Sequence, residues 1–219
     1  CAMQREFLLI FDFDGTLADS VPAVRQSTNA ALKEHGFPGV DEADILFGMQ
    51  YETVKRFGHH SGESDPQLLE KLKTRFYSYL TENVSVIRPY EGLIALLSDF
   101  RSRGFKLGIV SNNESGLIQR VLAQWGVAGE FDIVLGEEDF SPRKPDPAGI
   151  LQALGAVGAH RLESVYVGDS DSDAKAARDA GVYSVGVDWS HSKYGLTPSN
   201  WFPRTVSAPG MLKELLERW

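Results

Sequence analysis

Phe7-Leu8-Leu9-Ile10-Phe11-Asp12-Phe13-Asp14-Gly15-Thr16-Leu17 is the stretch whose reading decides the fold. Phe7 to Phe11 is apolar at every position, which suits a strand covered on both faces, as in a parallel sheet. The run stops abruptly at Asp12 and Asp14, and Gly15 breaks the pattern. A buried strand that ends in two carboxylates puts charge at its carboxyl end, where open α/β sheets bind ligands.

Beyond Pro89 the chain repeats this grammar. Leu93, Ile94, Leu96, Leu97 and Phe100 share one helical face, closed by Gly104. Lys106 to Val110 reads as a strand running into Ser111-Asn112. Leu117, Ile118, Val121, Leu122 and Trp125 mark a helix closed by Gly126. A strand over Phe131 to Leu135 and a helix over Ala148 to Leu154 follow. Ser164 to Val167 is a strand running into Gly168-Asp169, Ala174 to Ala180 a small-residue helix closed by Gly181, and Tyr183 to Val187 a strand. After Ser190 the pattern reads as loop until a terminal helix over Met211 to Trp219. This alternation predicts an α/β fold with a doubly wound, Rossmann-like parallel sheet.

Residues 19 to 87 lack strands. Val24 to His35 and Gln67 to Leu80 read as helices, with Ile45 to Gly48 and a short helical stretch from Tyr51 to Phe57 between them. The expected organisation is a core of residues 1–18 and 88–219, with an all-helical insert of residues 19–87 after the first strand.

Composition bounds the function. The 219 residues are 42% hydrophobic and 24% charged, the profile of a globular chain rather than a disordered, collagenous or disulfide-stapled one. No apolar run approaches the ~18 residues a membrane span requires. No signal peptide is expected, because no basic stretch followed by a long apolar one opens the sequence, and no intrachain disulfide, because Cys1 is the only cysteine; the expected location is the cytoplasm. Cys1-Ala2 precede Met3 and read as added residues. The net charge of −8 disfavours nucleic acid and anionic membrane as partners. A small anionic substrate remains open if a local cation meets it.

The polar residues at the strand ends supply that chemistry. Asp12, Asp14, Ser111, Lys144 and Asp169 span most of the chain but converge in such a fold. Each has an ordinary structural alternative: turn residue for the aspartates, helix N-cap for Ser111-Asn112 and for Asp169 to Asp173, exposed loop cation for Lys144. Together they suggest more. Carboxylates from two strand ends repel unless a hard cation lies between them, and Mg²⁺ takes such oxygen ligands together with substrate phosphate. Lys144 adds a second positive charge. One carboxylate can attack phosphorus, and another two residues along can move the proton.

These segments resemble the haloacid dehalogenase-like hydrolases, in particular their phosphoglycolate-phosphatase-like branch. Asp12-Phe13-Asp14-Gly15-Thr16-Leu17 looks like that family's first motif, Ser111-Asn112 its second, Lys144 its third and Gly168 to Asp173 its fourth. The resemblance implies a phosphoric monoester hydrolase with Mg²⁺ as cofactor. It implies Asp12 as nucleophile and metal ligand, and Asp14 as general acid/base with its carbonyl on the metal. Asp169 would be a direct metal ligand and Asp173 an outer-sphere support. Lys144 and Ser111, with Asn112, Gly15 and Thr16, would bind the phosphoryl group. The insert would be the family's cap, closing over the site, with Gln50, Lys55 and Arg56 selecting the leaving group. The implied substrate is a small phosphorylated metabolite, phosphoglycolate first among candidates, hydrolysed by a monomer or homodimer.

Departures from the family's other branches narrow the expectation. Asp14 is missing from the dehalogenases, and Gly48 to Glu52 offers neither the cap lysine of phosphonate hydrolases nor the Ser-Arg pair of sugar-phosphate mutases. A mutase or a pyrophosphate or nucleotide hydrolase is the alternative activity; a non-catalytic phosphate-binding protein is the alternative outside enzymes. His59-His60 reads as cap surface or loop. Trp189 to Tyr194 reads as packing after the last strand, with the site entrance as its second role.

Overall fold

A computed structural model describes residues 7–217, so the expectation for Cys1-Ala2 lies outside the described residues, as do the last two positions of the terminal helix. The chain divides into two compact units, one of residues 1–19 and 89–219, the other of residues 20–88.

In the first unit, strand β1 (Leu8–Phe11) runs to the loop carrying Asp12 and Asp14, and the short strand β2 (Ala18–Asp19) follows. The chain returns at β3 (Arg88–Pro89), which joins β2 in a separate two-stranded sheet. It then alternates through α5 (Leu93–Ser102), β4 (Lys106–Val110), α6 (Ser115–Gln124) and β5 (Ile133–Leu135). Next come α7 (Ala148–Val157), β6 (Ser164–Gly168), α8 (Asp171–Ala180) and β7 (Tyr183–Val187). The unit closes with α9 (Trp189–Tyr194), β8 (Thr205–Val206) and α10 (Pro209–Leu216); α1 to α4 belong to the second unit. The main sheet is ordered β5-β4-β1-β6-β7-β8, and its pairings are parallel. The doubly wound sheet expected from the alternation is therefore present. The expected loop after Ser190 is corrected at two places, α9 and β8.

The apolar runs are buried because helices cover both sheet faces. Every residue of β1 is buried. Leu8 and Ile10 face a core of Val110, Ile150, Tyr166, Ala176, Ala177 and Ala180. Alanines let α8 lie close to the sheet, and its start is fixed by a capping box. Ser170 accepts from the Asp173 amide, and the Asp173 side chain accepts from the Ser170 amide. No helix among the described residues is long and apolar enough to cross a membrane.

The second unit is helical: α1 (Val21–Glu34), α2 (Glu42–Gly48), α3 (Thr53–Ser61) and α4 (Pro66–Glu82). Asp41 and Asp65 cap α2 and α4 through their carboxylates. Leu32, Ile45, Phe57, Leu72, Phe76 and Leu80 are buried. Gly48 permits the α2–α3 approach, since a Cβ there would lie 2.6 Å from His60 Nε2 and 2.9 Å from Arg56 Cγ.

Candidate active site

Strand register brings the polar residues together. Phe11 pairs with Ile109 on one side and Val167 on the other, so Asp12 leaves β1 where β4 ends toward Ser111 and β6 toward Asp169. The Asp12 amide donates to the Val167 carbonyl at 2.8 Å, holding it at the sheet's edge. The chain then turns tightly. The Phe13 carbonyl accepts from the amides of Leu17 and Ala18, both at 2.9 Å, and Gly15 N–H donates to the Ala18 carbonyl at 2.9 Å. Gly15 sits at φ 77°, and a Cβ there would lie 2.1 Å from Asp169 Oδ2. Only glycine both makes this turn and lets the Asp169 carboxylate lie against the backbone.

Lys144 is the centre of the charge network. Its ammonium donates to Asp12 Oδ1 at 2.8 Å, Asp173 Oδ1 at 2.6 Å and the Tyr166 hydroxyl at 2.8 Å, using all three protons. The Tyr166 hydroxyl in turn donates to the Val110 carbonyl at 2.8 Å. The Lys144 side chain is 2% exposed and that of Asp173 0%. A buried charge of this kind persists because it is paired and hydrogen-bonded on every side. Asn112 fixes the lysine from behind: its side-chain oxygen accepts from Lys144 N and its amide donates to Lys144 O, each at 3.0 Å.

The carboxylates are not equivalent. Burial, then the neighbouring Asp173, pushes Asp12 up to about 7 against the pull of Lys144. Burial, Asp173 and Asp12 push Asp169 well above the ordinary carboxylate range. Burial opposes the charge on Asp173 too, but Lys144 and Ser170 outweigh it and hold that carboxyl below its usual value. Burial likewise opposes the Lys144 charge, and Asp12 and Asp173 outweigh it and hold the ammonium above its usual value.

Oxygens of Asp12, Asp169 and Asp173 lie within 4.8 Å of one another. Both Asp173 oxygens are spent, one on Lys144 and the other on the Ser170 amide at 3.0 Å and hydroxyl at 2.6 Å. Asp12 spends only Oδ1 on Lys144. All-oxygen donors, two of them carboxylates whose charge is costly without a counter-ion, fit a hard divalent cation. Of the three, Asp12 keeps Oδ2 clear of the Lys144 bond, whereas Asp173 has both oxygens engaged.

The remaining expected residues fall in three groups. Asp14 and Ser111 belong to the cluster. Asp14 Oδ2 accepts from the Asn113 side-chain amide at 2.8 Å. Ser111 is buried, and its hydroxyl accepts from Asn113 N at 3.3 Å while keeping its own proton to donate. Asn112, Gly15 and Thr16, expected at the phosphoryl group, lie beside the cluster; the first two have the groups named next engaged, and the Thr16 hydroxyl is buried without a hydrogen-bond partner. The Asn112 side chain is taken by the Lys144 backbone and the Gly15 N–H by Ala18; the Thr16 side chain is fully buried. The N-cap alternative for Ser111-Asn112 does not hold, because α6 starts after Glu114.

The third group lies in the helical unit. Gln50 and Lys55 are exposed; Gln50 donates to the Phe47 carbonyl at 2.8 Å and Lys55 pairs with Glu52 at 3.5 Å. Arg56, expected with them to select the leaving group, is a buried cation. It is 6% exposed, with its guanidinium 4.4 Å from the Phe76 ring centre, so cation–π packing replaces hydration. His60 is corrected from surface or loop to a half-buried residue of α3, and burial, then Arg56, pushes it down to about 4.

Sequence reasoning missed Asn113 and Tyr166. Asn113 follows two polar neighbours in Ser111-Asn112 and could have been included. Tyr166 sits in an otherwise apolar strand, and a buried phenol needs a partner.

Comparison with known proteins agrees with this geometry. Residues 9–187 match the model of the family described as haloacid dehalogenase-like hydrolase. A phosphoglycolate phosphatase of Mannheimia succiniciproducens is 34% identical over 204 residues, covering 87% of this chain and 89% of the relative. One of Yersinia pseudotuberculosis is 30% identical over 203 residues, covering 90% and 87%. Among solved structures, a predicted phosphoglycolate phosphatase of Haemophilus somnus superposes with a TM-score of 0.82 at 25% identity, covering 98% of this chain and 100% of that one. A HAD-superfamily hydrolase of Geobacter sulfurreducens superposes with a TM-score of 0.74 at 23% identity, covering 96% of both, and shows the fold.

Proposed function

The chain belongs to the haloacid dehalogenase-like hydrolase family, and from that premise we propose that it is a Mg²⁺-dependent phosphatase of a small phosphorylated metabolite, with Asp12 as nucleophile. The observation that carries the reading is the pairing of Asp12 with Lys144 at 2.8 Å, two residues before an Asp14 that Asn113 holds in place.

The Asp12 carboxylate attacks phosphorus and the ester P–O bond breaks. Asp14 delivers a proton to the departing oxygen. Asp14 then takes a proton from water as that water attacks the aspartyl-phosphate, releasing phosphate and restoring the Asp12 carboxylate. Lys144, itself held by Asp173, fixes the Asp12 oxygen, and Ser111 offers a hydroxyl proton to a phosphoryl oxygen. Asp12, Asp169 and the Asp14 carbonyl would hold Mg²⁺, which when bound neutralises charge on the phosphoryl group and on the buried carboxylates.

The helical unit is read as the family's cap, with Gln50 and Lys55 as exposed candidates for contact with the leaving group. Phosphoglycolate is the first substrate to try, because both curated relatives carry that name.

Phosphate release is measured across a panel of phosphorylated metabolites with Mg²⁺, with chelator, and for Asp12→Asn. The expected result is turnover that chelation abolishes and Mg²⁺ restores, and loss of at least a thousandfold in an Asp12→Asn variant that still unfolds in one cooperative transition. Chelator-resistant turnover, or an active Asp12→Asn, refutes the reading.

A further inference from the structure

Helix α9 and the β3 junction hold the segment that follows Asp14. The Trp189 indole N–H donates to the Thr16 carbonyl at 3.0 Å. The next carbonyl, that of Leu17, accepts from Tyr90 N at 3.2 Å, and the Tyr90 ring lies 6.2 Å from that of Trp189. Two residues further on, Asp19 is buried, with one oxygen bonded to the Lys193 ammonium and the other to the Tyr194 hydroxyl at 2.5 Å. Three of the four residues from Thr16 to Asp19 are thus anchored from outside their own turn, two of them by a six-residue helix.

We infer that Trp189, with Lys193 and Tyr194, forms a strut that positions the Asp14 loop for proton transfer. Inside the turn, the Phe13 carbonyl and the Gly15 N–H fix the loop's shape; the Asp12 amide on Val167 ties its start to the sheet and Asn113 holds the Asp14 carboxylate, so the end that leaves toward Asp19 is the part the strut holds. Trp189 follows β7 by two residues, so its indole is tied to the sheet, and the bond to Thr16 transmits that position to a residue two along from Asp14. Trp189 is a positioning residue and touches no reacting atom. A proton donor displaced by a fraction of an ångström loses rate on the step that needs the proton and little on others.

This inference rests on the assignment of Asp14 as proton donor, and the experiment separates the two. Trp189→Phe keeps the ring and removes the N–H; Tyr194→Phe removes one bond to Asp19. For each, the rate of aspartyl-phosphate formation is measured with an alkyl phosphate and with p-nitrophenyl phosphate, whose phenolate departs without a proton. Exchange of backbone amides in residues 13–18 is measured in metal-free protein. In Trp189→Phe the alkyl phosphate should slow by roughly five- to tenfold and the aryl phosphate by less than about twofold. Exchange at 13–18 should quicken severalfold, with Tyr194→Phe smaller in the same direction. Equal slowing of both substrates, or unchanged rates, overturns the strut. A wild type inactive on both overturns the functional reading instead, and the exchange data alone then decide: unchanged protection at 13–18 overturns the strut.

Discussion

Replacing Lys144 by Met removes the cation and keeps most of the volume. The wild-type ammonium lies 2.8 Å from Asp12 and 2.6 Å from Asp173, so the variant strands two buried carboxylates. Breaking one side of a buried ion pair costs about 3–5 kcal/mol. An independent ceiling comes from protonation: holding one carboxyl neutral when it is ionised in the unfolded chain costs about 1.4 kcal/mol per pH unit above ~4. That is about 5 kcal/mol at pH 8 and about 1–2 at pH 5. The sign is definite. In wild type, Asp173 lies below its ordinary value and contributes stability above its unfolded pKa, lost as the pH falls. In the variant it titrates above that value, so stability is present in acid and lost as the pH rises. Urea unfolding in chelator should show a loss of 3–5 kcal/mol at pH 8 and less than half of it at pH 5. The double variant Lys144→Met/Asp173→Asn should recover at least half the loss at pH 8. A loss below about 1 kcal/mol, or one equal at both pH values, refutes the account of a paired, buried network.

Gly15→Ala should destabilise by about 1–2 kcal/mol from its left-handed backbone and, separately, weaken Mg²⁺ binding, since its methyl would displace Asp169 Oδ2 from 2.1 Å. Calorimetric titration with Mg²⁺ checks this, and wild-type affinity would contradict the placement of Asp169. Gln50→Ala and Lys55→Ala should change the order of kcat/KM across the metabolite panel while leaving melting temperature within about 2 °C, as exposed positions allow. An unchanged order removes both residues from substrate selection.

Where the sequence was legible, one physical signal dominated. Continuous apolar runs require burial on both faces, and the charged residues that end them then mark the sheet's carboxyl edge. That logic placed Asp12, Asp14, Ser111, Lys144 and Asp169 together before any coordinates. The acidic run from Gly168 to Asp173 carried two meanings at once. Asp173 belongs to a capping box and to the Lys144 network, Asp169 lies against Gly15, and Asp171 is an ordinary first-turn acid with an exposed side chain. Short elements were not legible. Helix α9, Trp189–Tyr194, is too brief for a period to emerge, and β8 has two residues. The burial of Arg56 was not legible either, because nothing local in the sequence shows that its guanidinium packs on Phe76, twenty positions away.

The same geometry narrows what Lys144 does. A lysine at a phosphatase site invites the role of phosphate clamp, but here its three donors are spent on Asp12, Asp173 and Tyr166. Asn112 locks the lysine backbone, so the side chain does not swing free of that set without breaking buried bonds. Its charge therefore acts on Asp12 first. It lowers the cost of ionising Asp12, against burial and Asp173, and fixes which oxygen, Oδ2, stays available. In the proposed mechanism, Ser111, the Asp14 loop and a bound cation would then be left to meet the phosphoryl group. Under that mechanism a strongly acidic cluster would accept an anionic substrate because the cationic charge is held within the cluster, against Asp12, rather than displayed at its surface.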